Sequence, residues 1–414
     1  MKKEFHMENR ETLYHSMEAG SLAVMFSGHA PRKTGDEDYP FFANRNFVYL
    51  TGIEQQNSIF LSEVQGNERK ETLFLLPSDP FAERWTGRRL TSIEAYEVSG
   101  IDEIKYIDQF QNFLNHIIAS KEIQRIYLDF DKIRDNEPDS EAYKLAEYIR
   151  NRYPFITLKN LQPQLKKQRT IKKPCEIIAM KEAEKITRAG ILSMMQSSKP
   201  GRYEYQFKAE FDYTLAQHGV LAPGFPLIIT AGKNNFCIHN YSYRGQAQDG
   251  DMILNDVGAC WDNEINDVSR GWPCNGKFNE KQKLLYQCAY ETSEYMFRIL
   301  KPGIPMKDVD LMIRKYNFEQ LKAIGLCDDY ASVGKYIWHG GAHHVGYDVH
   351  DLADSTMPLT PGMIFCVDVG IYCEEWGIGF RLEDNCLITE TGCENLSAII
   401  PRSIEDIEAA MGKR

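Results

Sequence analysis

Histidines are crowded into one short segment of the chain, HGGAHHVGYDVH (residues 339–350), which holds four of the ten histidines. Gly340 and Gly341 lie between the first two of them, and because glycine destabilises a helix interior we expect a strand or a loop here. Imidazole nitrogens bind divalent metals and stabilise oxyanions. A histidine-rich stretch alone is only a weak sign of a metal site. The interpretation therefore depends on carboxylates elsewhere in the chain, and the alternative is a solvated loop.

Four acidic residues lie in strand-like segments that also carry apolar neighbours: Asp256, Asp267, Asp368 and Glu383. A buried carboxylate is costly unless it is paired or bound to a cation. Four that converge would repel one another, and two divalent cations would remove that repulsion, because carboxylates can bridge two metals. A histidine would add a nitrogen ligand. These residues predict a dinuclear metal site, and the alternative is that some of the acids lie on exposed strand edges.

The strands that carry these acids belong to two halves that repeat one order of elements. Each half begins with a long helical pattern ending in KPG, at residues 199–201 and 301–303, and continues with a second helix that ends at a glycine. The strands DMILNDVG and MIFCVDVG follow at equivalent positions. Such a repeat predicts two α-α-β units related by a pseudo-twofold axis. Asp256 and Asp368 would then face each other across a central cleft.

A chain of 414 residues is too long for one ordinary core, so we expect two domains. Before the repeat, SLAVMF, NFVYLTG, SIFLSEV, ETLFLLP and RIYLDF have strand composition, whereas residues 140–153 have apolar residues at helical spacing. A polar segment with two prolines follows, and its basic part, residues 165–174, predicts a solvated linker. We therefore predict an α+β architecture, with a smaller α/β N-terminal domain (residues 1–165) and a second domain (residues 166–414).

The composition, with 43% apolar and 26% charged residues, is typical of a soluble globular protein. No apolar run is long enough to span a bilayer, and SLAVMFSG begins too late for a signal peptide, so we expect a cytoplasmic protein with no membrane partner. The net charge of −11 argues against a nucleic-acid partner, which would require a basic face. The ten cysteines form no CxxC pair, so we expect reduced and mostly buried thiols.

The second domain closely resembles the pita-bread metallopeptidases, the group that contains methionine aminopeptidase, prolidase and aminopeptidase P. The resemblance implies the pita-bread fold and two divalent metal ions, usually manganese, with cobalt or zinc as alternatives. It implies that two acids bridge the ions, Asp267 in NDVSR and Glu383 in FRLEDN. Asp256 in NDVGAC would complete one metal site, and His343 in GGAHHVG and Asp368 in FCVDVG would complete the other.

The same resemblance implies roles for residues around the metals. His339 and His350 correspond to histidines that line the substrate site and steady the reacting carbonyl, and His239 in NNFCIHNY matches a third. Arg381, two residues before a bridging glutamate, resembles an arginine that orients the ligand carboxylates. His344 has no counterpart role, so we interpret it as a bystander.

The N-terminal domain extends the resemblance to aminopeptidase P, through DEDYPFFANRNFVYLTGIEQ and ERWTGRRLT. The implied function is a dinuclear-metal exopeptidase that acts on peptides with an Xaa-Pro N-terminus and releases the residue before proline. In the implied mechanism, Asp256 and its metal bind the free α-amine, Asp368 takes a proton from the attacking water, and the histidines stabilise the tetrahedral intermediate. The family counterpart of Trp85 reaches a neighbouring subunit's active site, which implies a homo-oligomer, either a dimer or a tetramer.

The chain departs from the family in one motif, because VDVG stands where the family usually has VEPG. Asp368 keeps the carboxylate but is shorter by one methylene, and the proline is lost, so the metal geometry and the rate are expected to change. Prolidase, which cleaves only Xaa-Pro dipeptides, shares every ligand and remains an alternative. A metal-free binding protein on the same fold is a second alternative, and the five intact ligand types disfavour it.

Overall fold

In the computed structural model, which describes residues 1–66 and 68–412, the chain divides into two compact units, Met1–Gln168 and Arg169–Arg414. The first unit alternates short strands with helices. Its elements, in chain order, are α1 (Lys3–His15), β1 (Ser21–Phe26), α2 (Arg45–Thr51), β2 (Ile59–Gln65), β3 (Glu68–Leu75), α3 (Pro80–Thr86), α4 (Ser92–Ser99), β4 (Glu103–Tyr106), α5 (Phe110–Ser120), β5 (Arg125–Leu128), α6 (Glu141–Arg152), β6 (Thr157–Asn160) and α7 (Gln162–Thr170).

The first unit is built on one six-stranded sheet in the order β4-β3-β2-β1-β5-β6. β1 pairs antiparallel with β2 and parallel with β5, so the sheet is mixed. The alternate side chains Leu22 and Val24 of β1 point into a core that α5 and α6 cover with Leu114 and Ile149. The helix predicted over residues 140–153 is α6, so that prediction is confirmed.

The segment NFVYLTG is a helix, and its prediction as a strand was wrong. Asn44 caps the first turn, because its side chain accepts a hydrogen bond of 2.9 Å from the Phe47 backbone N–H. Gly52 ends the helix in the left-handed conformation, with φ of 71°. Every residue of α2 is buried. A short run of aromatic and β-branched residues is compatible with either a buried strand or a fully buried helix. Composition alone therefore could not tell which of the two this segment forms.

The second unit consists of two halves that repeat helix, helix and strands, as predicted. Its elements, in chain order, are α8 (Pro174–Ser197), α9 (Glu204–Gln217), β7 (Ile228–Ala231), β8 (Met252–Val257), β9 (Cys260–Trp261), β10 (Glu264–Ile265), β11 (Val268–Pro273), α10 (Glu280–Ile299), α11 (Met306–Ala323), β12 (Ile364–Cys373), β13 (Ile378–Ile388), β14 (Cys393–Asn395) and α12 (Ile404–Gly412). The main strands form two antiparallel sheets, β11-β8-β7 and β12-β13-β14, one in each half.

The strand register brings the candidate acids to facing positions. β12 and β13 pair so that Asp368 lies opposite Glu383. In the other half, β8 and β11 pair so that Asp256 lies opposite Ser269. Side chains alternate across a strand, so Asp267, two residues before Ser269, lies on the same side of the chain. Asp256, Asp368 and Glu383 thus lie on paired strands, and Asp267 directly precedes β11.

Pro174 begins α8, which is the longest helix of the second unit at 24 residues. Proline is suited to the first turn because its missing N–H has no helical partner there. The Glu176 side chain accepts a hydrogen bond from the Lys173 backbone N–H and so caps the same end. Among the described residues, no helix combines the length and the apolar character needed to cross a bilayer.

The basic run of residues 165–174 is not a solvated linker, and that prediction was wrong in part. Arg169 and Lys172 are both buried. Lys172 Nζ pairs with Asp351, and Arg169 pairs with Asp348 and Asp351. A buried cation is stable only with such partners. Arg169 and Lys172 therefore anchor the end of the histidine segment, from Asp348 to Asp351. These partners lie far along the chain, so the run itself gave no sign of them.

Candidate active site

The histidine segment lies along β12 as a loop with local strand-like pairing. The backbone N–H of Asp368 donates to the Gly341 carbonyl at 2.9 Å, and that of Cys366 donates to the His343 carbonyl at 2.8 Å. A side chain at Gly341 would place its Cβ 2.6 Å from the Asp368 carbonyl oxygen, so only glycine permits this approach. The glycines that argue against a helix therefore bring the histidines to the acid-bearing strand.

One histidine of the segment contacts two of the candidate acids. His343 Nε2 lies 3.6 Å from Asp267 Oδ2 and 3.6 Å from Glu383 Oε1. These three side chains and Cys366 each offer one ligand atom, and the four atoms all lie within 4.8 Å of one another. Nitrogen, oxygen and sulfur donors at this spacing are suited to a divalent metal ion.

A buried guanidinium joins the acids of the two halves. Arg381 Nη2 pairs with Asp256 Oδ2 at 2.9 Å, and Arg381 Nη1 donates to the Tyr372 hydroxyl at 3.0 Å. The same hydroxyl lies 2.9 Å from His339 Nε2. On its other side, His339 Nδ1 lies 3.2 Å from Asp368 Oδ2. A continuous polar chain therefore runs from Asp256 in β8 to Asp368 in β12.

The acids retain buried oxygens that lack hydrogen bonds. Among the described residues, none donates a hydrogen bond to Oδ1 of Asp256, Asp267 or Asp368. Burial, together with the charges of Glu383 and Asp256, raises the pKa of Asp267 well above its usual range. Burial also raises the pKa of Asp256, although the Arg381 charge opposes that rise. Cations bound among these oxygens would relieve both the desolvation and the repulsion, so the donor set fits divalent metal ions.

Polar residues beside the acids hold them in place. Ser269 Oγ donates to Glu383 Oε2 at 2.8 Å and accepts from Arg381 Nε at 3.3 Å. The Asn385 side chain accepts from the Asp267 backbone N–H at 3.0 Å and donates to the Asp267 carbonyl at 2.8 Å. Such outer contacts fix ligand orientation. Ser269 and Asn385 each lie two residues after a candidate ligand on the same strand face, and that spacing could have identified them.

The remaining histidines occupy different surroundings. The His350 ring lies 4.4 Å from the His343 ring, and His350 is exposed at the site. His239 is also exposed, stacks against Tyr241 at 6.2 Å, and is close enough to His350 for their charges to interact. His344 is buried, and neither of its ring nitrogens has a hydrogen-bond partner among the described residues. Burial lowers the pKa of His344 to about 4, so its imidazole is neutral.

Models of known protein families match most of each unit. A family model described as metallopeptidase family M24 matches residues 178–390, just over half of the chain. The chain belongs to metallopeptidase family M24. A second model, described as the N-terminal domain of aminopeptidase P, matches residues 6–127. Both units therefore have counterparts among known peptidase domains.

Individual relatives agree with this family membership over their full length. The chain is 30% identical to a Xaa-Pro aminopeptidase of Haemophilus influenzae, with 99% of this chain and 97% of the relative covered. It is 29% identical to the Xaa-Pro aminopeptidase of Escherichia coli, with 99% and 98% covered. The M24 domain and the domain before it are thus present together in these relatives.

Solved structures of M24 relatives share the fold. A Bacillus anthracis protein provisionally assigned as an aminopeptidase P superposes with a TM-score of 0.97 at 35% identity, covering 100% of this chain and 99% of that one. Escherichia coli aminopeptidase P, solved with the inhibitor Pro-Leu, superposes with a TM-score of 0.91 at 26% identity, covering 100% and 98%. These likenesses confirm the predicted α+β architecture with a pita-bread C-terminal domain after a smaller N-terminal domain.

As a member of the M24 metallopeptidases, the protein uses divalent metal. The group of donors around His343 lies inside the residues that the M24 model matches. Sequence reasoning named every residue of this group except Cys366, whose side chain it counted among the core thiols. It also missed Tyr372, because the contact of its hydroxyl with Arg381 depends on how β12 and β13 pair.

Proposed function

We propose that the protein is a metal-dependent Xaa-Pro aminopeptidase, an exopeptidase that releases the N-terminal residue from peptides with proline in the second position. The observation that carries the proposal is the convergence of His343 with Asp267 and Glu383 inside the M24 domain. The match of residues 6–127 to the N-terminal domain of aminopeptidase P favours this substrate class over that of other M24 peptidases.

The candidate ligands divide into two sets that would hold two ions. Asp267 and Glu383 would contribute to both, Asp256 to one, and His343 with Asp368 to the other. The buried Oδ1 atoms of the three aspartates, which receive no hydrogen bond from the described residues, support this division. Manganese is the metal we propose, with cobalt or zinc as alternatives. When bound, the ions supply Lewis acidity toward the scissile carbonyl and lower the pKa of water.

The side chains around the ions would bind and orient the peptide. Asp256 and its metal would bind the free α-amine of the peptide, which would restrict cleavage to chain ends. Arg381 orients Asp256 by donating a hydrogen bond to its Oδ2, and the Tyr372 hydroxyl accepts a hydrogen bond from the same guanidinium. Asp368 would hold the proton lost by the attacking water, and His339 contacts the same carboxylate. Burial opposes protonation of His339, but the Asp368 charge outweighs it and raises the pKa of His339 to about 9.

Two exposed histidines would contact the substrate. His350 lies beside His343, and His239 is exposed near it. Imidazole N–H groups in this position would donate hydrogen bonds to the oxygen that becomes negative as the carbonyl is attacked. We propose that these two histidines lower the barrier without holding the metal.

We further propose that the protein acts in the cytoplasm as a homo-oligomer, a dimer or a tetramer. The free cysteines of the described residues include Cys175 and Cys237, which are exposed, and free exposed thiols suit a reducing compartment. Trp85 and Phe81 lie one helical turn apart on α3 and are 80% and 72% exposed. Adjacent exposed aromatic side chains are typical of a surface that a second subunit covers.

A peptide panel tests the proposed function. The manganese-loaded protein is incubated with an Xaa-Pro-Yaa tripeptide, the matching Xaa-Ala-Yaa tripeptide, the N-acetylated Xaa-Pro-Yaa tripeptide and an Xaa-Pro dipeptide. We expect release of Xaa from the first peptide and little or none from the second and third. Turnover of the dipeptide alone would identify a prolidase, and turnover of none of them would contradict peptidase function.

A further inference from the structure

Cys366 lies among the candidate metal ligands. It is fully buried on β12, two residues before Asp368, so both side chains point to the same face of the strand. Its Sγ belongs to the group of four donor atoms within 4.8 Å, with Asp267, His343 and Glu383. Asp368 is not part of that group, and its Oδ2 lies 3.2 Å from His339 Nδ1 instead.

The surroundings of the sulfur differ from those of a thiol that only fills space. Asn385 Nδ2 points at Sγ from 3.4 Å, and the same amide holds the Asp267 backbone. Asp267 is 4% exposed, and its Oδ1 receives no hydrogen bond from the described residues. An unpaired buried carboxylate oxygen beside the sulfur points to a cation at this position.

We propose that Cys366 Sγ is a metal donor, which closes a four-donor site with Asp267, His343 and Glu383 and makes it favour thiophilic cations such as zinc. The inference rests on the metal centre of the proposed function and specifies its chemistry. Thiolate sulfur selects zinc and cadmium, whereas manganese prefers oxygen. A tetrahedral ion with bonds of about 2.0–2.3 Å separates its donors by roughly 3.5 Å. The four donor atoms, which lie within 4.8 Å of one another, would therefore have to move by about 1 Å to bind one tetrahedral ion.

The short side chain of Asp368 is consistent with a site in which Cys366 binds the metal and Asp368 contacts His339. With a thiophilic ion, sulfur completes the site and Asp368 keeps its contact with His339. With a hard ion such as manganese, sulfur is a poor donor and the Asp368 oxygen is needed instead. Metal choice would thus decide whether Asp368 is a ligand or only a proton acceptor.

Cobalt spectroscopy on the full-length protein tests the inference without any assay of activity. Metal-free protein is titrated with Co²⁺, and bound cobalt is counted by elemental analysis. We expect a sulfur-to-cobalt charge-transfer band in the near ultraviolet in the wild type and its loss in Cys366→Ser. Cys373→Ser is the matched control, because Cys373 is a buried thiol on the opposite face of the same strand. It should keep the band.

Competition between metals gives a second readout. We expect Cys366→Ser to lose at least about 10-fold in zinc affinity relative to manganese, since loss of even an outer contact of a ligand costs about 10- to 100-fold. Cys373→Ser should keep the wild-type ratio. An unchanged ratio in Cys366→Ser would overturn the inference.

The outcomes separate this inference from the proposed function. Wild-type protein that binds cobalt stoichiometrically without the band overturns the sulfur ligand and leaves the metallopeptidase proposal intact. Folded wild-type protein that binds no cobalt, zinc or manganese overturns both. If Cys366→Ser fails to fold, cobalt is titrated into protein that lacks the exposed thiols, Cys175→Ser with Cys237→Ser. A band retained there supports sulfur bound at the buried site, and its absence overturns the inference.

Discussion

Arg381 Nη2 lies 2.9 Å from Asp256 Oδ2, and the two side chains are only 3% and 14% exposed. Asp256 belongs to β8 of the first half of the catalytic unit, and Arg381 belongs to β13 of the second half. The guanidinium also contacts Ser269 and Tyr372, so one planar group fixes partners from both sheets. The ion pair between Arg381 and Asp256 thus links the two halves and fixes the candidate ligands of one half relative to those of the other.

Replacement of this guanidinium is therefore expected to slow turnover more than it affects metal binding. A lysine in Arg381→Lys cannot contact Asp256, Ser269 and Tyr372 together, because it has one nitrogen and no planar fork. We expect kcat to fall about 10- to 100-fold, with the metal content close to that of the wild type. Steady-state kinetics and elemental analysis test this. Arg188→Lys, at an exposed arginine bonded to the Ile399 carbonyl, should change neither measurement.

Asp368 is expected to be essential and to tolerate no extra length. Asp368→Asn should nearly abolish turnover, because an amide is a poorer ligand and cannot take a proton. Asp368→Glu should also lower kcat, since the strand is bonded to Gly341 and the carboxylate already meets His339, so the added methylene has to displace a neighbour. Misplacement by about 1 Å can cost about a hundredfold in rate. Full activity of Asp368→Asn would remove this residue from the site.

Three of the four clustered histidines, His343, His344 and His350, should respond differently to replacement. His343→Ala removes a nitrogen donor and should lose metal together with activity. His350→Ala should keep its metal and lose mainly kcat, because its proposed contact is with the substrate. His344→Leu keeps the volume of a buried side chain and should change neither. Metal loss in the His350 variant with full metal content in the His343 variant would reverse the assignment.

Buried Glu184 predicts a dependence of stability on pH. Burial, partly opposed by a hydrogen bond from Ser397, raises its pKa from 4.5 to about 8, and the nearby Asp384 charge adds to the rise while Arg270 opposes it. The folded state thus binds a proton that the unfolded state releases, so the free energy of unfolding falls as the pH rises from about 4.5 to about 8.

In Glu184→Gln the side chain is neutral at every pH, so the free energy of unfolding should not fall in this way as the pH rises. Relative to the wild type, the variant should gain up to about 1.4 kcal/mol per pH unit across that window. Urea unfolding at pH 6 and pH 8 measures the difference. Glu182→Gln, at a half-buried site two residues away, should follow the wild type at both pH values. Parallel pH profiles for wild type and Glu184→Gln would show that Glu184 is charged in the folded protein.

Sequence pattern was enough to predict much of the fold, including the repeated order of elements in the second unit and the helix α6. Pattern failed for NFVYLTG, because apolar β-branched and aromatic residues suit any fully buried element. It also failed for Arg169 and Lys172, whose carboxylate partners lie far along the chain. Charge in a run indicates solvent exposure only where no distant acid is available.

In the candidate site, too, some residues could be predicted from sequence pattern and others depend on contacts between distant segments. The acids could be named because each lies in an apolar strand where a lone carboxylate would be costly. Ser269 could have been identified from its position two residues after Asp267. Tyr372 carried no comparable signal, since its contact with Arg381 depends on the register of β12 with β13. The sequence did not single out Cys366 for another reason: a buried thiol usually has no role beyond packing.

Metal reconstitution tests the central claim most directly. Protein depleted of metal by chelation is titrated with Mn²⁺ while bound metal and hydrolysis of an Xaa-Pro tripeptide are measured together. We predict no activity in the metal-free protein, recovery in proportion to bound metal up to two ions per chain, and no recovery in Asp267→Asn. Full activity in protein shown by elemental analysis to be free of divalent metal would contradict the account.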